Sequence, residues 1–230
     1  MLDFFKESVY FGLLISLGTY ALGMFLKKKT KSPLCNPLLV AVVLTIVIVL
    51  GLKMDYSTYK AGANLLSYLL TPATVCFAIP LYEQFCHLKK NYAAILAGIL
   101  SGILTSLLTV LGLSLLLHFD HAQYVTFLPK SITTAIGMGV SEELGGYTAI
   151  TVTVIVLTGV FGNVIADLVF KVFRIREPIA RGVALGTSAH AIGTSKAMEY
   201  GALEGAMSSL SLVVAGIVTV VIAPFAAMLF

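Results

Sequence analysis

Six stretches of this chain carry no Asp, Glu, Lys or Arg: Ser8–Leu26, Pro37–Leu52, Ala61–Tyr82, Tyr92–Leu117, Leu144–Ala166 and Gly205–Phe230. They are 16 to 26 residues long, against roughly 20 needed for a helix to cross the hydrocarbon core of a bilayer. Such a pattern predicts an all-α polytopic membrane protein. Two intervening segments have a different texture. Gln123–Gly146 and Gly182–Tyr200 are rich in hydroxyl, amide and charged side chains and are interrupted by Gly and Pro.

These two segments share a skeleton of Ala-Ile-Gly, five residues, Glu, one residue, Gly. It runs Ala135-Ile136-Gly137 to Glu143 and Gly145, and again Ala191-Ile192-Gly193 to Glu199 and Gly201, 56 residues later. A weaker echo, Ala78-Ile79-Pro80, lies 57 residues before the first copy and lacks the Glu. Leu100-Ser101-Gly102-Ile103 matches Leu157-Thr158-Gly159-Val160 at the same 57-residue offset. Polar, helix-breaking stretches repeated inside an apolar chain point to the binding site of a transporter.

Charge sets the orientation. Basic clusters face the cytoplasm, and three loops qualify: Lys27–Lys31, His87–Lys90, and the loop with Lys171, Arg174, Arg176 and Arg181. An N-terminus outside the cell puts the first two clusters inside. The third also falls inside only if Gln123–Gly146 dips into the membrane from outside and returns. By the same logic Gly182–Tyr200 enters from inside. Lys53 and Lys60 in an outer loop run against the rule, partly offset by Asp55. The expectation is about six full spans plus two re-entrant or broken helices in inverted-topology repeats, with eight full spans as the alternative. Residues 1–60 read as a two-span scaffold suited to a dimer contact, and 61–230 as a transport core with units 61–119, 123–173 and 182–230.

Composition agrees: 58% of residues are hydrophobic and 11% charged, with a mean hydropathy of +0.98. A soluble domain would carry roughly 25% charge. The net charge of +4 sits in short loops between spans, so it does not indicate nucleic acid. The first apolar run does not read as a cleaved signal, because Asp3 and Glu7 dilute its leading segment and Lys27-Lys28-Lys29 reads as a stop-transfer signal. Cys35, Cys76 and Cys86 have no disulfide or metal-ligand spacing, and no cofactor or metal is expected.

Non-helical backbone at membrane depth survives only where it is buried in protein or lines a cavity. Pro129-Lys130-Ser131-Ile132-Thr133-Thr134 and Leu185-Gly186-Thr187-Ser188-Ala189-His190 both read as such backbone. Lys130 at helix depth costs roughly 2.5–3.5 kcal/mol on insertion scales, so it needs water or an anion. It reads either as part of a carboxylate site, helped by helix N-termini, or as a lysine that snorkels to the outer interface. His190 reads either as a substrate donor or proton-coupling group or as a buried structural histidine.

The proposed ligand set is Lys130, Ser131, Thr133, Thr134, Thr187, Ser188, His190, Gly193 and Thr194, with Asn163 from the following span and Pro72 and Thr74 from the first unit. Pro72 and Pro80 are expected to break or kink their helix. His190, Asp167 and Glu143 are the coupling candidates. The reading favoured for Glu143 and Glu199 is interfacial charges at the ends of the re-entrant segments; Asp167 reads also as a partner of Lys171 four residues on, and Lys196 with Glu199 as a pair on one helix face. Gly98-x3-Gly102, Gly182-x3-Gly186 and Gly201-x3-Gly205 are packing features. The chain contains no His-Glu-x-x-His, Gly-x-Ser-x-Gly or P-loop, so no enzymatic activity is expected.

At these motifs the chain resembles the LrgB/CidB family. The resemblance rests on Leu70-Thr71-Pro72-Ala73-Thr74 with Ala78-Ile79-Pro80-Leu81-Tyr82, and on Pro129-Lys130-Ser131-Ile132-Thr133-Thr134 running on to Ser141-Glu142 and Gly145-Gly146. Gly186-Thr187-Ser188-Ala189-His190-Ala191-Ile192-Gly193-Thr194 completes the set. Where that family often has a proline after the paired threonines, this chain has Ala135. The resemblance implies a bacterial inner-membrane protein, often paired with a small LrgA/CidA-type membrane partner. It also implies one of two activities. One is antiholin- or holin-like modulation of murein hydrolase export and lysis. The other is carriage of small monocarboxylates of the pyruvate, glycolate and glycerate class, as in the related plastid translocator. The residues themselves favour an alternating-access carrier of a small organic anion, since a holin has no use for polar, inverted, re-entrant repeats.

Overall fold

The computed structural model describes residues 10–30, 37–76 and 78–230. Every regular element among them is a helix. The chain divides into two compact units, Met1–Cys76 and Phe77–Phe230.

In the first unit, α1 (Phe11–Thr30) packs against both α2 (Pro37–Gly51) and α3 (Tyr56–Cys76). Small and hydroxyl side chains make these contacts. A Cβ on Gly12 would lie 2.5 Å from the Tyr59 carbonyl oxygen. Ser16 Oγ meets Tyr59 OH at 2.8 Å and Thr19 Oγ1 meets Thr45 Oγ1 at 3.0 Å. Interhelical hydroxyl pairs of this kind replace the hydrophobic drive that is missing between helices in lipid. Pro72 sits inside α3, which continues to Cys76 before α4 (Ala78–Glu83) begins.

The second unit contains α4, α5 (Phe85–Leu116), α6 (His121–Phe127), α7 (Thr134–Glu143), α8 (Thr148–Val172), α9 (Pro178–Tyr200) and α10 (Ala202–Ala227). Among the described residues three stretches are long and apolar enough to cross a membrane: Lys89–Leu116 of α5, α8 and α10. The apolar α2 has 15 residues and spans about 22 Å at 1.5 Å per residue, short of a hydrocarbon core of about 30 Å. The long helices match three of the six charge-free runs, and the run Ala61–Tyr82 is divided between α3 and α4.

Both polar segments are interrupted helices. In the first, the backbone leaves α6, turns through residues 128–133 and starts α7 at Thr134. In the second, α9 is two helical halves joined by a kink at Ala189 (φ −127°, ψ 15°) and His190 (φ 42°, ψ −133°). Each is followed by one long apolar helix, α8 or α10. The first segment begins earlier than hydropathy implies, because Asp120 and Gln123 form a reciprocal cap. Gln123 N–H donates to Asp120 Oδ1 at 2.7 Å and Asp120 N–H to Gln123 Oε1 at 2.9 Å, as in a capping box.

The core of this unit lies along α5, where Ile95, Ile99, Ile103, Leu107 and Val110 form a buried stripe against Tyr124, Leu128, Val183 and Met207. Tyr124 closes it, its hydroxyl donating to the Ala226 carbonyl at 2.9 Å and its ring stacking on Phe230. The α9–α10 hairpin is tight because α9 is glycine-lined on that side. A Cβ on Gly182 or Gly186 would fall 2.4 and 2.3 Å from the Glu204 and Ser208 carbonyl oxygens, the close backbone approach that small-x3-small spacing permits.

Candidate functional site

The first interruption is braced from behind. Thr151 Oγ1 donates to Ser141 Oγ at 2.7 Å and lies 3.0 Å from the Thr126 carbonyl, while Tyr147 N–H donates to Thr126 Oγ1 at 2.8 Å. Thr126, Ser141 and Thr151 are all buried, so this network ties α6, α7 and α8 into one body. It leaves the 128–133 turn facing the other way, toward α5 and α9.

On that side lies an open cavity of about 960 Å³, bounded by α5, α8, the first half of α9 and the turn at Lys130-Ser131. Its size is at the upper end of ligand pockets, which run about 300–1,000 Å³. Lys130 is half-buried, and its Nζ donates to Ser131 Oγ at 3.0 Å. Ser131 Oγ in turn meets Ser106 Oγ of α5 at 3.1 Å. An ammonium has only donors, so Ser131 accepts from Lys130 and is left to donate toward Ser106 or a bound acceptor.

Four of the sequence-derived ligands line this cavity: Lys130, Ser131, Thr187 and Ser188. The hydroxyls of Thr187 and Ser188 each bond back to a carbonyl one turn earlier, Val183 and Ala184, both at 2.7 Å. Thr133 and Thr134 are half-buried where α7 begins and are not among the lining residues.

The remaining candidates frame the second interruption. His190 is 3% exposed, and its ring Nε2 lies 2.9 Å from the Ile155 carbonyl of α8. Because a carbonyl only accepts, that nitrogen carries the hydrogen. The ring packs on Gly159, where a Cβ would come within 2.7 Å of it. Asn163 Nδ2 donates to the Ile192 carbonyl at 3.4 Å, and Thr194 Oγ1 bonds the His190 carbonyl and Ser208 Oγ, both at 3.0 Å. Gly193 lets the second half of α9 fold against the first: a Cβ there would lie 2.3 Å from the Leu185 carbonyl. Pro72 belongs to the first compact unit and is exposed. The side chain of Thr74 lies outside the described residues.

Of the coupling candidates, Asp167 meets the buried Lys196 at 3.3 Å and accepts from the Tyr200 hydroxyl. Lys196 also pairs with Glu199 at 3.2 Å. The Lys196–Glu199 pair was legible from spacing; the link to Asp167, across 29 positions, was not. Glu143 is exposed at the end of α7.

Sequence reasoning missed one wall of the cavity. Ser101, Thr105, Ser106 and Thr109 of α5 all line it. Ser101, Thr105 and Thr109 recur every fourth residue, which places them on one helix face. From Ala94 to Thr109 the lining follows α5 for about 22 Å, most of the depth of a hydrocarbon core. Thr158 adds a hydroxyl from α8, and Glu177 lies at the start of α9. The signal was present as hydroxyls at i, i+4 within a charge-free run. Lys130 is the cation among the described lining residues and Glu177 the acid.

Residues 16–229 match the LrgB-like family. The chain is 40% identical over 218 residues to the antiholin-like protein LrgB of Bacillus subtilis (strain 168), covering 94% of each chain. It is likewise 40% identical over 216 residues, again 94% of each chain, to the antiholin-like protein LrgB of Bacillus cereus (strain B4264) and to that of Bacillus anthracis (strain CDC 684 / NRRL 3495). No solved structure matches the chain. These names speak of antiholin-like action and say nothing of transport.

Proposed function

The chain belongs to the LrgB-like family, and from that membership we propose that it acts in the bacterial cytoplasmic membrane in the antiholin-like capacity its relatives' names carry. The observation that supports this reading is the 40% identity sustained along 94% of each chain. In this role the protein restrains membrane permeabilisation and murein hydrolase export, alongside a small LrgA/CidA-type membrane protein. The test is a bacterial strain deleted for its own copy and complemented with this chain. Murein hydrolase release and the rate of lysis should rise on deletion and fall on complementation. Indifference of both to the chain would remove the reading.

A second reading, carriage of a small monocarboxylate by alternating access, is favoured by one observation: the 960 Å³ cavity lined by Lys130, Ser131, Thr187 and Ser188. A carboxylate there would accept from both the Lys130 ammonium and the Ser131 hydroxyl, two charge-assisted bonds in place of the single one between those side chains. The α5 hydroxyls would offer further donors along the path. In this reading the interrupted segments enter from opposite faces as an inverted repeat, the N-terminus lies outside, and residues 1–60 hold a dimer together. The two readings are compatible if transport alters metabolism and lysis responds. Proteoliposomes containing this chain alone should take up labelled pyruvate, glycolate or glycerate saturably and show acceleration by internal substrate. Ohmic, non-saturating currents would defeat the carrier and leave a pore. Coupling through His190, Asp167 or Glu143 would appear as a changed pH dependence of uptake in the matching variant.

A further inference from the structure

Away from the cavity, the connection between α8 and α9 builds a second concavity of about 270 Å³. The chain stops α8 with the backbone pattern of a Schellman motif. Arg174 takes a left-handed conformation (φ 54°), its N–H reaches the Lys171 carbonyl at 3.3 Å, and Ile175 N–H reaches the Phe170 carbonyl at 2.9 Å. Glycine is the usual residue at that position, so this turn displays a guanidinium where a bare backbone would suffice.

Arg181 reaches back from the first turn of α9. Its Nε donates to the Ile175 carbonyl at 2.9 Å, and its guanidinium lies 5.7 Å from the centroids of both the Phe170 and Tyr200 rings. Stacking and the backbone bond fix the plane of the fork. Among the described residues its two Nη groups make no hydrogen bond or ion pair. The acid in the concavity, Asp167, is engaged by Lys196 and by the Tyr200 hydroxyl. Lys171, Arg174 and Arg176 complete the lining. Cations at the end of α8 are favoured by the helix dipole and by cytoplasmic placement alone. Those effects explain their number but not a tethered, ring-stacked guanidinium facing a concavity.

A planar fork with open donors matches the oxygens of a phosphate. Its surroundings place it at the membrane surface, since Leu168, Val172 and Phe173 of the same helix end are all more than 60% exposed. We propose that the α8–α9 turn binds the phosphate of an anionic phospholipid headgroup, with Arg181 as the oriented fork and Lys171, Arg174 and Arg176 around it. Basic pockets at the ends of membrane helices suit this chemistry.

The experiment uses the full chain purified from vesicles of phosphatidylcholine mixed with phosphatidylglycerol, with the retained lipid read by native mass spectrometry. Phosphatidylglycerol should survive detergent washing in preference to phosphatidylcholine. The Lys171→Gln/Arg174→Gln double variant alters exposed side chains only, and it should weaken retention about fivefold for each cation removed. Arg181→Lys keeps the charge but not the fork, and retention should fall there as well. Equal retention by the wild type and both variants would overturn the site. So would an equal loss on replacing Lys27 and Lys28 in the other compact unit, because attraction would then be diffuse. A last arm compares thermal protection by glycerol phosphate with protection by the vesicles. Equal protection by both supports the phosphate site and assigns it to a soluble ester, whereas protection by vesicles alone supports the lipid.

Discussion

The two interrupted segments start from one skeleton and arrive at different physical ends. Their shared frame is visible in the packing. A Cβ on Gly137 would approach the Pro129 carbonyl at 3.4 Å, and one on Gly193 the Leu185 carbonyl at 2.3 Å. Pro129 and Leu185 are themselves 56 positions apart, so the same glycine faces the same upstream carbonyl in both copies. The difference lies in what occupies the gap. At the first interruption several residues leave helical geometry, and Lys130 and Ser131 turn into a cavity. At the second, two residues depart, and the gap is closed by the His190–Ile155 and Asn163–Ile192 bonds. The first interruption turns its own polar groups into the cavity, while at the second His190 and Asn163 hold the fold and the cavity receives only Thr187 and Ser188 from the turn before it. A repeated motif therefore does not imply a repeated role.

Substitutions sharpen this contrast, beginning with the glycines. Gly193→Ala sets a methyl against a backbone carbonyl and should destabilise by about 3 kcal/mol, the upper end for overpacking. Gly137→Ala meets chiefly the terminal methyl of Ile155, at 2.4 Å. That side chain can rotate, so the cost should be nearer 1 kcal/mol. Thermal or denaturant unfolding in detergent would compare the pair, and equal losses would break the argument.

His190→Ala should come next, at about 2 kcal/mol, because it leaves the buried Ile155 carbonyl without its side-chain donor. Its effect should appear as lost stability, with the substrate dependence of any transport unchanged in the surviving protein. Lys130→Ala should do the reverse. Removing a half-buried lysine with one hydroxyl partner should move stability by less than about 0.5 kcal/mol while weakening anion uptake. If Lys130→Ala unfolds the protein and His190→Ala changes the apparent affinity, the assignment of roles is inverted.

Ser106→Ala tests the bridge between α5 and the first interruption. Loss of one neutral hydroxyl contact should cost about 0.5–1 kcal/mol, and any effect on uptake should be milder than that of Lys130→Ala. A small change in stability, with none in uptake, is expected of Asp167→Asn. Lys196 keeps Glu199, and both acids are about half exposed, so solvent screening holds the loss to roughly 0.5 kcal/mol. Unfolding measured at low and high salt should show that loss only at low salt.

Local pattern carried a large part of this protein. Continuous apolar runs marked α5, α8 and α10 because a helix surrounded by hydrocarbon needs no polar face. The interruptions were legible because Pro129, the paired threonines and the glycine-flanked His190 conflict with an unbroken span. Lys130 and Ser131 stood out as polar groups too costly to leave facing lipid. Hydropathy alone misplaced one boundary. The capping box at Asp120 starts α6 before the polar segment was expected to begin.

What the sequence by itself determined is the class of the molecule, its two interrupted polar segments and the residue types available at each interruption. Each of these follows from the free energy of one segment against water or hydrocarbon, a property of neighbours along the chain. Only the tertiary structure decided that Ser101, Thr105 and Thr109 face a cavity, that His190 finds a carbonyl 35 positions away and that Lys196 finds Asp167 on another helix. A hydroxyl at helical spacing is satisfied equally well by its own backbone or by a partner across a groove. The choice depends on which helix lies opposite, and at what separation, and that is settled by how the small residues let the backbones approach.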